Sequence, residues 1–114
     1  MNKPKNFDEI VKSVTPLTEA SFYILAALAS PGHGYGVMQK VGELTRERVQ
    51  LGPGTIYGAL NNLQSLGLIE TVDGEGKDRR KLYRLTAIGW RVAEQEITRL
   101  EEVARHGRVL LGSG

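Results

Sequence analysis

The sequence predicts a mostly helical domain closed by one small β-hairpin: a winged helix-turn-helix in the order α-α-α-β-β-α, behind a short N-terminal helix. Three observations predict it. Apolar residues recur at helical spacing in three segments that Pro31-Gly32 and the short run Arg46 to Leu51 separate. Two short alternating segments then flank a charged, glycine-containing turn, Asp73–Arg80. A last helical pattern runs from Thr86 to about Val109.

Each element follows from local chemistry. Phe7, Ile10, Val11 and Val14 share one helical face, so residues 1–16 form an arm with a short helix that Pro16 ends. Thr18 can cap the next helix, with Leu17 before the cap and Phe22 at the fourth helical position as a hydrophobic staple. Ile24, Leu25 and Leu28 continue its apolar face to Pro31-Gly32. Gly34-Tyr35-Gly36 opens a second helix carrying Val37, Met38, Val41 and Leu44, and the connection Arg46 to Leu51 is expected to be short and partly extended. In the third helix Pro53 stands in the first turn, where a missing N–H costs nothing, and Ile56, Leu60, Leu63 and Leu66 form the core stripe. Gly67 suits the left-handed residue that ends a helix. Leu68 to Val72 and Lys81 to Leu85 alternate as strands. Residues 17–86 thus make the winged helix-turn-helix, residues 87–111 a C-terminal dimerisation helix, and residues 112–114 a frayed tail.

Composition narrows the chemistry. At 114 residues the chain is one domain. Its net charge is only +2, but between Lys77 and Arg84 five cations (Lys77, Arg79, Arg80, Lys81, Arg84) face one anion, Asp78, giving +4 there and −2 for the remainder. The absence of cysteine excludes a disulfide framework, a thiolate nucleophile and a cysteine-based zinc site. His33, in the Pro-Gly-His-Gly-Tyr turn, and His106, near the end of the last helix, are too isolated for a metal site. No apolar run reaches the roughly 20 residues of a membrane span, and the first residues lack a signal peptide's hydrophobic segment, so a cytoplasmic location is expected. Enzyme readings fail. Neither G-x-G-x-x-G nor G-x-x-x-x-G-K-[ST] occurs, no cofactor is implied, and Glu94, Glu96, Glu101 and Glu102 alternate with Arg91, Arg99 and Arg105 as on a solvated helix face.

The binding chemistry sits on the third helix and the hairpin. Opposite the leucine stripe lie Thr55, Gly58, Asn61 and Asn62, with Tyr57 and Gln64 at the flanks. Such groups can read base edges or bind phosphates, and Gly54 lets the helix N-terminus come close to a phosphate. No arginine lies on this helix, so bidentate guanine reading from it is not expected. The candidate contacts to double-stranded DNA are Gly54, Thr55, Tyr57, Gly58, Asn61, Asn62, Lys77, Arg79, Arg80 and Lys81. In the last helix Trp90, Ala93, Ile97, Leu100 and Ala104 are spaced three, four, three, four, a heptad seam for a homodimer. Trp90 has two readings: it fills the core between the last helix and Phe22 or Phe7, or it stacks on a flat aromatic effector at the dimer interface.

Three segments in register carry a resemblance: Leu17-Thr18 with Ile24-Leu25, Leu28 and Pro31-Gly32-His33-Gly34-Tyr35-Gly36; Gly54-Thr55-Ile56-Tyr57 with Leu60, Leu63 and Gly67-Leu68-Ile69; and Arg80-Lys81-Leu82-Tyr83-Arg84-Leu85-Thr86 with Gly89. Spanning Leu17 to Gly89, the pattern resembles the phenolic-acid-decarboxylase-regulator (PadR) family of bacterial transcription factors. The resemblance implies a homodimeric winged helix, dimerised through the last helix with help from the N-terminal one. It also implies transcriptional repression, relieved by a small molecule or set by expression level. Two departures stand out. The family often has proline after the Gly-Thr-Ile-Tyr motif where this chain has Gly58, which could loosen the helix, and the single final helix resembles the short form without a larger C-terminal domain. Two alternatives stay open: a sensor of aromatic small molecules on the same scaffold, and a protein-interaction module that does not bind DNA.

Overall fold

The computed structural model describes residues 6–72 and 81–112. It contains α1 (Phe7–Val14), α2 (Glu19–Ala27), α3 (Gly34–Leu44), α4 (Pro53–Ser65), β1 (Ile69–Val72), β2 (Leu82–Leu85) and α5 (Ala87–Leu111). The expected helices, strands and their order are all present, and the fold is a winged helix with α4 in the place of the third predicted helix. The Asp73–Arg80 turn, with Lys77, Arg79 and Arg80, lies outside the described residues.

Side-chain caps set three of the helix starts. Asn6 accepts the Glu9 N–H at 2.8 Å, Thr18 the Ser21 N–H at 3.1 Å, and Thr86 the Gly89 N–H at 3.1 Å. Each satisfies an amide that has no partner within its own helix. The α2 helix is central, packed against α3, α4 and α5, and Ile24, Leu25 and Leu28 are completely or almost completely buried there. Leu66, read as part of the core stripe, is exposed instead, and so is Leu44. Leu44 is the last residue of α3 and Leu66 the C-cap of α4, where the chain has already turned from the core.

The connection from α3 to α4 is not simply extended. Arg46 and Glu47 both take left-handed backbone angles, φ 51° and 64°, and the Glu47 N–H donates to the Gly42 carbonyl at 2.8 Å. Thr45 organises the turn: its hydroxyl donates to the Val41 carbonyl at 2.8 Å and accepts the Val49 N–H at 3.1 Å. Val49 is thereby turned into the core.

The hairpin is antiparallel, pairing Ile69 with Leu85, Glu70 with Arg84, Thr71 with Tyr83 and Val72 with Leu82. Gly32, in the loop between α2 and α3, adds to its outer side: the Gly32 N–H donates to the Tyr83 carbonyl at 3.0 Å and the Tyr83 N–H to the Gly32 carbonyl at 2.9 Å. The far end of the hairpin closes on α5. The Thr86 N–H donates to the Leu68 carbonyl at 3.1 Å and the Thr86 hydroxyl to the Gly67 carbonyl at 2.6 Å. Gly67, at φ 78°, provides the left-handed step that ends α4. Gly89 is required by contact, since a Cβ there would sit 1.9 Å from the Leu68 carbonyl oxygen.

Glu96 overturns the solvated-face reading of the α5 carboxylates, because it is only 1% exposed. It accepts the backbone N–H of Leu17, in the α1–α2 linker, and a two-pronged contact from Arg99, with Nε 2.6 Å from Oε2 and Nη2 3.3 Å from Oε1. Burial pushes the Glu96 carboxyl up, but the Arg99 hydrogen bond, the Leu17 N–H and the Arg99 charge together hold it below its ordinary value. Nearby, Arg91 and Asp8 join α5 to α1 at 2.7 Å, an exposed pair worth about 0–1 kcal/mol.

Gly89→Ala is expected to destabilise the fold by about 3 kcal/mol or more, because the Leu68 backbone must move to admit the methyl group. Gly58→Ala, where nothing lies within 4 Å of an added Cβ, should stabilise it by about 0.5–1 kcal/mol. Urea unfolding measures both. Because the folded Glu96 carboxyl is depressed, its stabilisation is fully present above the ordinary value of 4.5 and is lost as pH falls through the lower folded value. Glu96→Gln should therefore weaken the protein by about 1.5–3 kcal/mol at pH 7 and flatten its loss of stability between pH 5 and pH 3. Parallel acid profiles for the two proteins would contradict this.

Candidate nucleic-acid interface

The outer face of α4 is built by its inner one. Ile56, Leu60 and Leu63 are fully buried, which turns Gly54, Thr55, Tyr57, Gly58, Asn61, Asn62 and Gln64 outward, all exposed. The helix starts at Gly52, which offers no side chain to the first-turn amides. No charged side chain lies on α4, so this surface offers neutral donors and acceptors. The helix is continuous through Gly58.

Tyr57 is half exposed yet held in place. Its ring edge lies against Gly34, where a Cβ would sit 3.0 Å from Tyr57 Cε1 and 3.2 Å from Ile56 Cγ2. Gly34 therefore lets the start of α3 lie directly on α4, a role its position as a helix opener does not announce. Beside it, His33 Nδ1 lies 2.8 Å from the Lys81 carbonyl oxygen, so His33 supports its turn by joining it to the root of the wing. Together with the Gly32–Tyr83 pair, this fixes the wing root against the α2–α3 loop.

Between these parts lies a cleft of about 310 Å³, bordered by Tyr35, Tyr57, Asn61, Lys81 and Tyr83. Tyr83 is 4% exposed, and burial, followed by the nearby Tyr57 phenol, pushes its hydroxyl up, which keeps it protonated. Of the wing cations, Lys81 is exposed at the cleft. Arg84 is compensated instead: its Nε lies 2.8 Å from Glu70 Oε1, its cross-strand partner. Tyr35, absent from the predicted contact set, is 57% exposed. An aromatic ring between two glycines was the signal that could have singled it out.

A second surface runs along α5. Gly89, Val92, Ala93 and Glu96 face the domain core, so the predicted seam is divided. Ala93 is 6% exposed and packs inward, whereas Trp90, Ile97, Leu100 and Ala104 lie outside, joined by Val103. Trp90 does not fill the core: it is 47% exposed, because the inward turn of Gly89 sends its neighbour out. It borders an open groove of about 450 Å³ with Arg91, Glu94 and Thr98. The end of α5 bears Val109, Leu110 and Leu111, all strongly exposed. No cluster of potential metal ligands occurs among the described residues, and no described helix is long and apolar enough to cross a membrane.

Comparison with known proteins agrees with this architecture. The transcriptional regulator PadR-like family matches residues 24–95, more than half of the chain. The transcriptional regulator Rv3488 of Mycobacterium tuberculosis is 35% identical over 77 residues, 64% of this chain and 66% of that protein. An uncharacterized 37.1 kDa protein in transposon TN4556 of Streptomyces fradiae is 34% identical over 79 residues, 68% of this chain but 22% of that protein. The chain thus spans less than two thirds of the length of either curated relative. Among solved structures, a PadR family regulator from Eggerthella lenta superposes with a TM-score of 0.71 at 22% identity, covering 93% of this chain and 88% of that one. One from Clostridium difficile gives 0.70 at 25% identity, covering 82% and 99%.

Proposed function

The chain belongs to the PadR-like family of transcriptional regulators, and on that premise we propose that it is a sequence-specific DNA-binding repressor acting as a homodimer on a pseudo-palindromic operator. The observation that supports this most is the exposed, uncharged polar face of α4 beside a wing root fixed by hydrogen bonds to the α2–α3 loop. In this reading α4 enters the major groove. Thr55 and Asn61, with Asn62, meet base edges, and Gly54 and Gly58 allow close approach of the backbone. Lys77, Arg79, Arg80 and Lys81 hold flanking phosphates and provide most of the affinity. Repression follows from occupancy of the promoter, in the bacterial cytoplasm.

The homodimer rests on the exposed side of α5. Trp90, Ile97, Leu100 and Val103 are large apolar groups on a helix whose other face is already buried, and a partner helix at that seam covers them. A second reading is favoured by Trp90 alone. Half exposed at an open groove, it offers a stacking surface for a flat aromatic effector whose binding releases DNA.

Fluorescence anisotropy with a duplex from the promoter beside the protein's own gene tests the DNA reading. Replacing Arg79 and Arg80 together by alanine should weaken binding to every sequence and lower the slope of log affinity against log salt by about 2. Asn61→Ala or Thr55→Ala should instead cost about 1–3 kcal/mol on the promoter duplex and little on a shuffled one. Wild-type protein without salt-dependent duplex binding would favour the protein-interaction module. Ile97→Asp combined with Leu100→Asp should give a monomer in sedimentation equilibrium while the helical circular dichroism persists; an unchanged dimer would place the interface elsewhere.

A further inference from the structure

We propose that the cleft between the start of α3, the outer face of α4 and the root of the wing is a seat for a single DNA phosphate. There the hydroxyls of Tyr35 and Tyr57 donate to the phosphate oxygens and Lys81 supplies the charge. The inference rests on the DNA-binding reading and assigns this cleft a part in it, with Tyr35 as a contact that the α4 and wing residues do not include.

The walls are preformed. Wing and α2–α3 loop are joined by the Gly32–Tyr83 pair and by the contact of His33 with the Lys81 carbonyl. Gly34 holds the Tyr57 ring while leaving half of the residue exposed. Gln39 Nε2 donates to the Tyr35 phenol oxygen at 3.4 Å, which occupies that oxygen as an acceptor and leaves its proton for an outside group. Among the described residues the lining has phenols, an ammonium, the His33 imidazole and the Asn61 amide and no carboxylate, a set that favours an anion. Placement points the same way. If α4 lies in the major groove and the wing on the flanking backbone, the strand bordering that groove passes between them, over this cleft. A phosphate seated on groups already held in position loses little ordering entropy on binding, so the contact fixes the register of α4 without reading sequence.

Anisotropy with the promoter duplex and a shuffled duplex tests this, using Tyr35→Phe, Tyr57→Phe and Lys81→Gln. Each Phe variant keeps its ring and should bind both duplexes about tenfold more weakly, by equal factors. Lys81→Gln should lower the salt slope by about 1. Ethylation interference on the promoter then locates the contact: one phosphate per half-site that blocks wild-type binding when ethylated should no longer matter to the Tyr35→Phe, Tyr57→Phe double variant. Unchanged affinity of folded Phe variants, or a loss confined to the promoter duplex, would overturn the phosphate seat while leaving DNA binding intact. Failure of the wild-type protein to bind either duplex would remove the DNA-binding reading itself.

Discussion

Four elements meet at the carbonyl of Leu68. The α4 helix has just ended at Gly67, β1 begins, β2 ends at Leu85, and α5 starts under the Thr86 cap, whose N–H donates to that carbonyl. Gly89 lies so close to the same oxygen that no larger residue fits. This contact sets the angle at which α5 leaves the domain and therefore which of its faces is covered. With Gly89 inward, Val92, Ala93 and Glu96 follow inward, and Trp90 and Ile97 are sent out. One backbone approach thereby separates the core side of α5 from the side proposed to meet a second copy.

Electrostatics divide the two surfaces further. The α4 face is neutral, and Arg84 on β2 is already compensated by Glu70, so the unpaired cation described at the wing root is Lys81, next to the cluster in the turn. In the proposed complex, affinity would come from phosphates and discrimination from a few amide and hydroxyl groups. On α5, by contrast, the buried charge of Glu96 serves the fold. It holds the Leu17 N–H and Arg99 together, which ties the α1–α2 linker to α5.

Features encoded within a few residues were legible in the sequence. The cap at Thr18, the start of the last helix at Thr86, the left-handed Gly67, Pro53 in the first turn of α4 and the alternation of both strands are each decided by chemistry within one turn, and each stands in the structure. The outward face of α4 was legible for the same reason, since a strict apolar stripe leaves only one side for Thr55, Asn61 and Asn62. What depends on distant partners was not legible. Glu96 sits in the same alternation of acids and bases as exposed Glu94, and only the Leu17 amide and Arg99 distinguish them. Ala93 satisfies a heptad as well as a domain core, and the choice between them is made by Gly89 packing on Leu68. The cleft behind Tyr35 arises from three segments far apart in sequence, so no single motif carries it.

In the proposed complex two copies of this fold read one duplex, each with α4 in a major groove. Hydroxyl-radical footprinting on the promoter DNA beside the protein's own gene tests it most directly. Two equivalent protected patches are expected on one face of the duplex, centred about 10 base pairs apart or at a multiple of that spacing. A single protected patch, or none at concentrations where the protein is folded, would contradict it.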